Sequence, residues 1–230
     1  MRFTPQTLDF LFENKLNNNK EWFHSHKQEY QELVLDPLVD LVEKLTPTVL
    51  KIDPQFITIP KPTKAISRIY RDTRFSKDKS LYRDNMWILF IRDKKLYHGL
   101  PAYFADISAN GLEYGVGYYK VSSESMLCYR DMILKKEPAF LQAKQAVEKA
   151  KIFSLYGEPL KRSKAPNEPE DIKNWLDRKQ IGVSNTITDF DLVFSEDLYQ
   201  TIAKGFEQLK PVYDFLMAVE TRRSHNNRED

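Results

Sequence analysis

Apolar residues in this chain recur at helical spacing near both ends and at alternate positions in the middle. That change of period constrains the fold more than any single motif does. Leu8, Leu11, Phe12 and Leu16 mark one helical face. Thr4 and Pro5 are placed to start that helix, and Phe3 and Leu8 have the spacing of a hydrophobic staple. Past the Asn17-Asn18-Asn19 break, Asn18 and Glu21 have capping-box spacing, and Trp22, Phe23, His26, Tyr30, Leu33 and Val34 define a second helix. Asp36-Pro37 is expected to cap a third, striped by Leu38, Leu41, Val42 and Leu45, with Pro47 ending it.

The middle reads as strands. Phe56–Ile59 and Ile66–Tyr70 are short extended candidates, and Met86-Trp87-Ile88-Leu89-Phe90-Ile91 is bulky on both faces, as a central strand would be. Asn110-Gly111 is a strong hairpin signal, because both central residues of a type I′ turn need positive φ. A turn at those two residues sets Tyr103, Ala105 and Ile107 opposite Tyr118, Val116 and Tyr114 on one apolar face. On the other face Phe104 and Asp106 oppose Gly117 and Gly115, leaving room for the close approach of another element or a ligand, with packing the simpler account. Helices return at Ser123, at Pro138–Lys149 and at Asp171–Leu176. An extended segment follows near Ile181–Ser184, then a long helix capped by Ser195 and kinked at Pro211. The order predicts an α+β fold: a mostly antiparallel central sheet with its hairpin at Asn110-Gly111, flanked by N-terminal and C-terminal helices.

Composition bounds the class. With 230 residues, 41% hydrophobic, 30% charged, 7 Gly and one Cys, the chain suits a globular domain that buries roughly 70% of its unfolded surface. No linker divides it, so residues 1–222 are expected to form one α+β domain and residues 223–230 a polar, frayed tail. No apolar stretch reaches the roughly 20 residues of a membrane span, and Met1-Arg2-Phe3-Thr4 does not open like a signal peptide. The expectation is a cytoplasmic protein with no membrane partner. Cys128 is alone, which excludes an internal disulfide, and its apolar neighbours Met126, Leu127 and Met132 suit a small buried hydrophobe rather than a nucleophile. Aromatics make up 13% of the chain, 14 Phe, 12 Tyr and 3 Trp; rings of this bulk line cores, interfaces or ring-binding clefts.

The net charge of +2 conceals one concentration. Lys61, Lys64, Arg68, Arg71, Arg74, Lys77, Lys79 and Arg83 stand against Asp72 and Asp78, a local +6 that leaves the remainder at −4. Tyr70, Phe75 and Tyr82 are interleaved with these charges. The string Arg71–Lys79 falls between two extended segments and is expected to be a loop on a rigid support, where ligands are commonly handled. Arg offers a planar fork for phosphate or carboxylate, Lys a point charge, and Thr73 and Ser76 hydroxyl donors.

Three readings stay open. In the first, Arg68, Arg71, Arg74, Lys77 and Lys79 hold a small phosphate- or carboxylate-bearing ligand, Tyr82 adds a contact, and Asp72 or Asp78 orients the cations. In the second, Tyr70, Phe75 and Tyr82 are stacking rings for single-stranded nucleic acid, a reading weakened by the negative remainder. In the third, the loop is a structural ion-pair network of an interaction protein. Nothing in these residues decides whether the chain is an enzyme or how it assembles.

Other constellations carry little. His24 and His26 are two apart on a helix, so their side chains diverge, and no cysteine stands near them. His98 lies in a Tyr97-His98-Gly99 turn without a Ser or Cys partner. Gly115 and Gly117 lack the third glycine and the lysine of a phosphate loop. No metal-ligand set and no cofactor motif is present in the sequence.

Three segments together resemble a known family: Asn17-Asn18-Asn19-Lys20-Glu21-Trp22-Phe23, the string from Arg68 to Tyr82, and Leu209-Lys210-Pro211-Val212-Tyr213-Asp214-Phe215-Leu216. They are similar to the domain of unknown function 2461 family, conserved hypothetical proteins of bacteria and fungi. The resemblance spans nearly the whole chain and implies a single α+β domain; it implies no activity, substrate or cofactor. Where the family continues with a His- and Gly-containing stretch, this chain has Asn85-Met86-Trp87-Ile88, so no role of a histidine there carries over.

Overall fold

The computed structural model of the chain describes residues 2–74, 76–93 and 99–229, with side chains as far as residue 225. Phe75, Tyr97 and His98 lie outside the described residues. In chain order the elements begin α1 (Pro5–Asn17), α2 (Lys20–Ser25), α3 (Lys27–Tyr30), a π-helical turn (Gln31–Leu35) and α4 (Asp36–Ile52). The middle holds β1 (Met86–Phe90), β2 (Ala102–Ser108), β3 (Gly111–Gly117), α5 (Ser123–Leu134), α6 (Pro138–Ala150) and β4 (Ser154–Tyr156). The chain closes with α7 (Glu170–Leu176), β5 (Gly182–Ile187), α8 (Phe190–Val193), α9 (Leu198–Gln208) and α10 (Lys210–Glu229). The strands form one antiparallel sheet in the order β1-β2-β3-β5-β4, with helices around it, so the fold is α+β as the periodicity predicts. No described helix is long and apolar enough to cross a membrane.

The chain divides into two compact units and passes between them repeatedly. The first comprises Met1–Phe90, Phe104–Tyr114 and Thr186–Ala203, and the second the remaining stretches. No single cut separates them, which is why no linker is visible in the sequence.

Within the first unit, the segment from Lys27 to Ile52 corrects two expectations. Asp36 and Pro37 open α4 where expected, but Asp36 does not cap it: the backbone is already helical at Leu35, and the Asp36 N–H reaches back five residues to the Gln31 carbonyl. Pro37 has no N–H for the Leu33 carbonyl four residues before it. The buried Thr7 hydroxyl of α1 donates to that carbonyl instead, at 2.7 Å. Pro47 likewise sits inside α4 rather than ending it. The α2 cap also differs. Asn19 rather than Asn18 accepts from the Trp22 N–H, at 2.7 Å, while Asn18 takes a left-handed backbone (φ 50°).

β1 stands at one end of the strand order rather than in its centre. Its free edge is covered by the preceding chain: Ser67 N–H donates to Trp87 O and Leu89 N–H to Ala65 O, each at 2.8 Å. Its residues alternate between full and partial burial, so the apolar run is one core face plus one partly covered face. The hairpin forms at the expected place but one residue earlier than the expected turn: Ala109 and Asn110 link the strands, and Gly111, at φ 115°, already opens β3. Asn110 does not take positive φ, so the type I′ turn over Asn110-Gly111 is not formed.

In the second unit α10 packs on α5 and α6. Phe140 and Phe215 meet there at 5.6 Å between ring centroids, and Tyr129 and Phe215 at 5.4 Å. Three buried tyrosines direct their hydroxyls to helix carbonyls at 3.1 Å each: Tyr103 to Phe206, Tyr118 to Leu216 and Tyr129 to Trp175. This disposes of part of the aromatic surplus as core with satisfied polar tips. The space beside Gly115 and Gly117 is filled by backbone: a Cβ at Gly115 would stand 2.2 Å from Val183 O, and one at Gly117 2.5 Å from Gly182 Cα. The close approach read from those glycines is therefore packing against β5. The last helix is interrupted at Leu209, with Pro211 in the first turn of α10, and the polar residues after Arg222 continue the helix to Glu229.

Candidate functional site

The basic string is a loop closed by an antiparallel pair. Arg71 N–H donates to Leu81 O at 2.8 Å and Arg83 N–H to Ile69 O at 3.1 Å, with Tyr70 and Tyr82 bridged between them. Asn18 fixes one strand, its Oδ1 accepting from the Leu81 N–H at 2.6 Å. The positive φ of Asn18 is thus the joint at which α1 and α2 meet the loop, a signal that the Asn17-Asn18-Asn19 run carried in the sequence.

The cations of the string are largely spoken for. Arg71 pairs with Asp78 and also donates to Ser80 Oγ. Arg74 forks onto Asp72, Nε to Oδ1 at 2.9 Å and Nη2 to Oδ2 at 2.7 Å. Lys79 Nζ donates to the Thr73 carbonyl at 2.8 Å. The Arg74 guanidinium holds the exposed Asp72 carboxyl well below its ordinary range. The Ser80 N–H, with the Arg71 guanidinium, draws Asp78 down to about 2. Lys77 is exposed and makes no ion pair among the described residues. Tyr82 is fully buried, packed against Phe23 at 5.1 Å and Tyr70 at 5.0 Å, so it supports the loop from below and is no surface contact.

Arg68 is placed differently from the other arginines of the string. It is exposed, makes no ion pair among the described residues, and borders an open hollow of about 690 Å³. Phe23, Tyr30, Ile69 and Tyr70 give this hollow its apolar lining, and Lys27 and His24 of the helical segment join Arg68 around it. Among the described residues no carboxylate lines it. Two acids of the same helical segment stand behind lining residues and are hydrogen-bonded to them: Glu32 accepts from Gln28 at 2.9 Å and Asp36 from Gln31 at 2.5 Å. Burial, with a smaller effect from Tyr70, pushes the Tyr30 hydroxyl up to about 12, so it stays a neutral hydrogen-bonding group. Lys27, His24 and Tyr30 come from α2 and α3, far from the string in sequence, and only the fold joins them to Arg68. His26 turns away, its ring stacked on Trp22 at 4.0 Å.

A second titratable cluster escaped the sequence reading. Asp106 of β2 is largely buried and both its oxygens accept from one amide, Asn85 Nδ2, at 3.0 and 2.8 Å. Burial pushes its carboxyl up to about 7; Glu113 and Asp84 add to the rise, and Asn85 and Arg83 oppose it. Arg83 itself lies over the Trp87 ring at 4.5 Å. Among the described residues no group of three or more His, Cys, Asp or Glu could hold a metal ion.

The family model described as conserved hypothetical protein (DUF2461) matches residues 6–215. The chain belongs to this family. All three segments that carried the resemblance fall wholly or almost wholly inside the DUF2461 match, the last ending one residue beyond it. No curated protein and no solved structure matches the chain.

Proposed function

We propose that the protein binds a small anionic ligand, bearing phosphate or carboxylate, in the hollow beside Arg68. One observation carries this reading: Arg68 and Lys27 border a hollow that no carboxylate among the described residues lines, over an aromatic floor. Arg68 feels the charge of Asp72 but makes no ion pair with it, so its planar fork is left to take two oxygens of a ligand anion. A volume of about 690 Å³ lies inside the range of roughly 300–1,000 Å³ common to small-molecule sites. Arg71, Arg74 and Lys79, by contrast, form the ion-pair and hydrogen-bond framework that holds the string, so the structural reading of the loop and the binding reading divide between different residues. With its single cysteine the protein suits a reducing compartment, and the proposed setting is the cytoplasm.

A thermal-shift panel of phosphorylated and carboxylated metabolites tests this. A ligand present at 100 times its Kd adds about 2.7 kcal/mol of stability, a clear rise in Tm that Arg68→Gln should abolish without lowering the Tm of the free protein. No rise with any anion at millimolar concentration refutes the proposal.

A further inference from the structure

The floor of the hollow limits what the anion can be attached to. Tyr70 is 39% exposed, whereas Phe23, Tyr30 and Ile69 beside it are 6%, 8% and 4% exposed. Tyr70 therefore carries the free aromatic surface of this lining. Its ring is braced from two sides: Phe23 meets it edge-on, at 5.5 Å and 69°, and Tyr82 lies against it at 5.0 Å and 39°. Phe23 is in turn packed on Tyr30 at 5.3 Å. A braced ring loses little rotamer freedom when something stacks on it, so contact with it is kept as affinity rather than offset by ordering. Arg68 and Ile69 are the two residues immediately before Tyr70, and the bridge from Tyr70 to Tyr82 fixes this stretch of backbone.

We infer that the ligand is a planar aromatic anion: a ring seated against Tyr70, joined by a short linker to a single carboxylate or phosphate held by Arg68 and Lys27. The inference rests on the anion-binding proposal above and adds the ring to it. An aliphatic anion would leave the aromatic floor wet, and a neutral ring would leave both cations without a partner. Aryl carboxylates and mononucleotides share the required chemistry, and the probes separate them.

The experiment is calorimetric titration of the full chain with indole-3-acetate and adenosine monophosphate, against the bare anions acetate and inorganic phosphate and the neutral rings indole and adenosine. At least one arylated anion should bind at least about tenfold more tightly than its bare anion and its neutral ring, the size of one ring-stacking contact. Whichever of the two does so names the source. Arg68→Gln should equalise the arylated anion and its neutral ring. Tyr70→Ala should equalise the arylated and bare anions; Tyr70→Leu, which keeps apolar bulk against Phe23 and Tyr82, should do the same if the alanine variant folds poorly. If bare phosphate or acetate binds as tightly as the arylated forms, the ring inference falls and the anion proposal stands. If no probe binds, both fall. Tighter binding of a ten-nucleotide single strand than of the mononucleotide, steeply weakened by salt, overturns the inference in favour of a nucleic-acid track.

Discussion

Replacing Asp106 by asparagine should remove the pH dependence that this one carboxyl imposes on stability. The Asp106 carboxyl is pushed from an ordinary 3.8 up to about 7, first by burial and further by Glu113 and Asp84, against the opposing pull of Asn85 and Arg83. A carboxyl raised on folding stabilises the protein in its protonated form. The contribution is fully present below pH 3.8, and it is lost as pH rises to the folded value near 7. Between pH 5 and pH 7 the folded chain keeps a proton that the unfolded chain has released, so each unit of pH costs about 1.36 kcal/mol. Over two units this is about 2.7 kcal/mol. The substituted amide does not titrate, and groups that do not interact with Asp106 titrate alike in both proteins. The stability of Asp106→Asn relative to wild type should therefore rise by about 2.7 kcal/mol between pH 5 and pH 8. Urea unfolding at fixed ionic strength at the two pH values measures it. A difference that stays constant with pH, or a side-chain carbon resonance of Asp106 that titrates near 4, refutes the reasoning.

Two further substitutions follow from the geometry. Thr7→Val removes the hydroxyl that serves the part-buried Leu33 carbonyl and accepts from the Thr4 N–H, a loss of about 1–3 kcal/mol in urea unfolding. Pro37→Ala returns an N–H to that carbonyl, so the double variant should lose clearly less than Thr7→Val alone, and strict additivity would show that Pro37 is not the cause. In the basic string, the Arg71 side chain is 23% exposed and ties Asp78 to Ser80, whereas Arg74 is 76% exposed and pairs with its near neighbour Asp72. Arg71→Gln should accelerate amide exchange across residues 72–80 and lower the urea midpoint, and Arg74→Gln should change neither.

Periodicity carried most of the fold because burial imposes it directly. The predicted bounds of α6 and α7 agree with Pro138–Ala150 and Glu170–Leu176 to within a residue, since a proline stands at or just before the start of each apolar stripe. The errors came at the prolines inside longer segments. Pro37 does stand in the first turn of α4, but the turn before it stays helical too, because the donor it lacks has a substitute in Thr7, on another helix and thirty residues away. Pro47 reads as a stop by the same local logic, and packing of Leu45 and Val49, both fully buried, overrides it. The apolar β1 reads as central because its edge is covered by Ala65 and Ser67, residues whose pairing a linear pattern does not announce.

The candidate site shows the complementary lesson about charge. Density of Arg and Lys in the string pointed to a binding loop, but Asp72 and Asp78 lie within seven residues of Arg74 and Arg71 and close on them. Local sequence proximity made those pairs easy to form, and the same proximity made the string conspicuous. What distinguishes Arg68 is a hollow that, among the described residues, no carboxylate lines, together with Lys27 and the rings of Phe23, Tyr30 and Tyr70 that the fold gathers there. Availability for a ligand is set by which charges the fold leaves uncompensated. The same reasoning applies to Asp106: one acid in an alternating strand gives no signal, and its titration is displaced because burial, with Glu113 and Asp84, outweighs the opposing pull of Asn85 and Arg83.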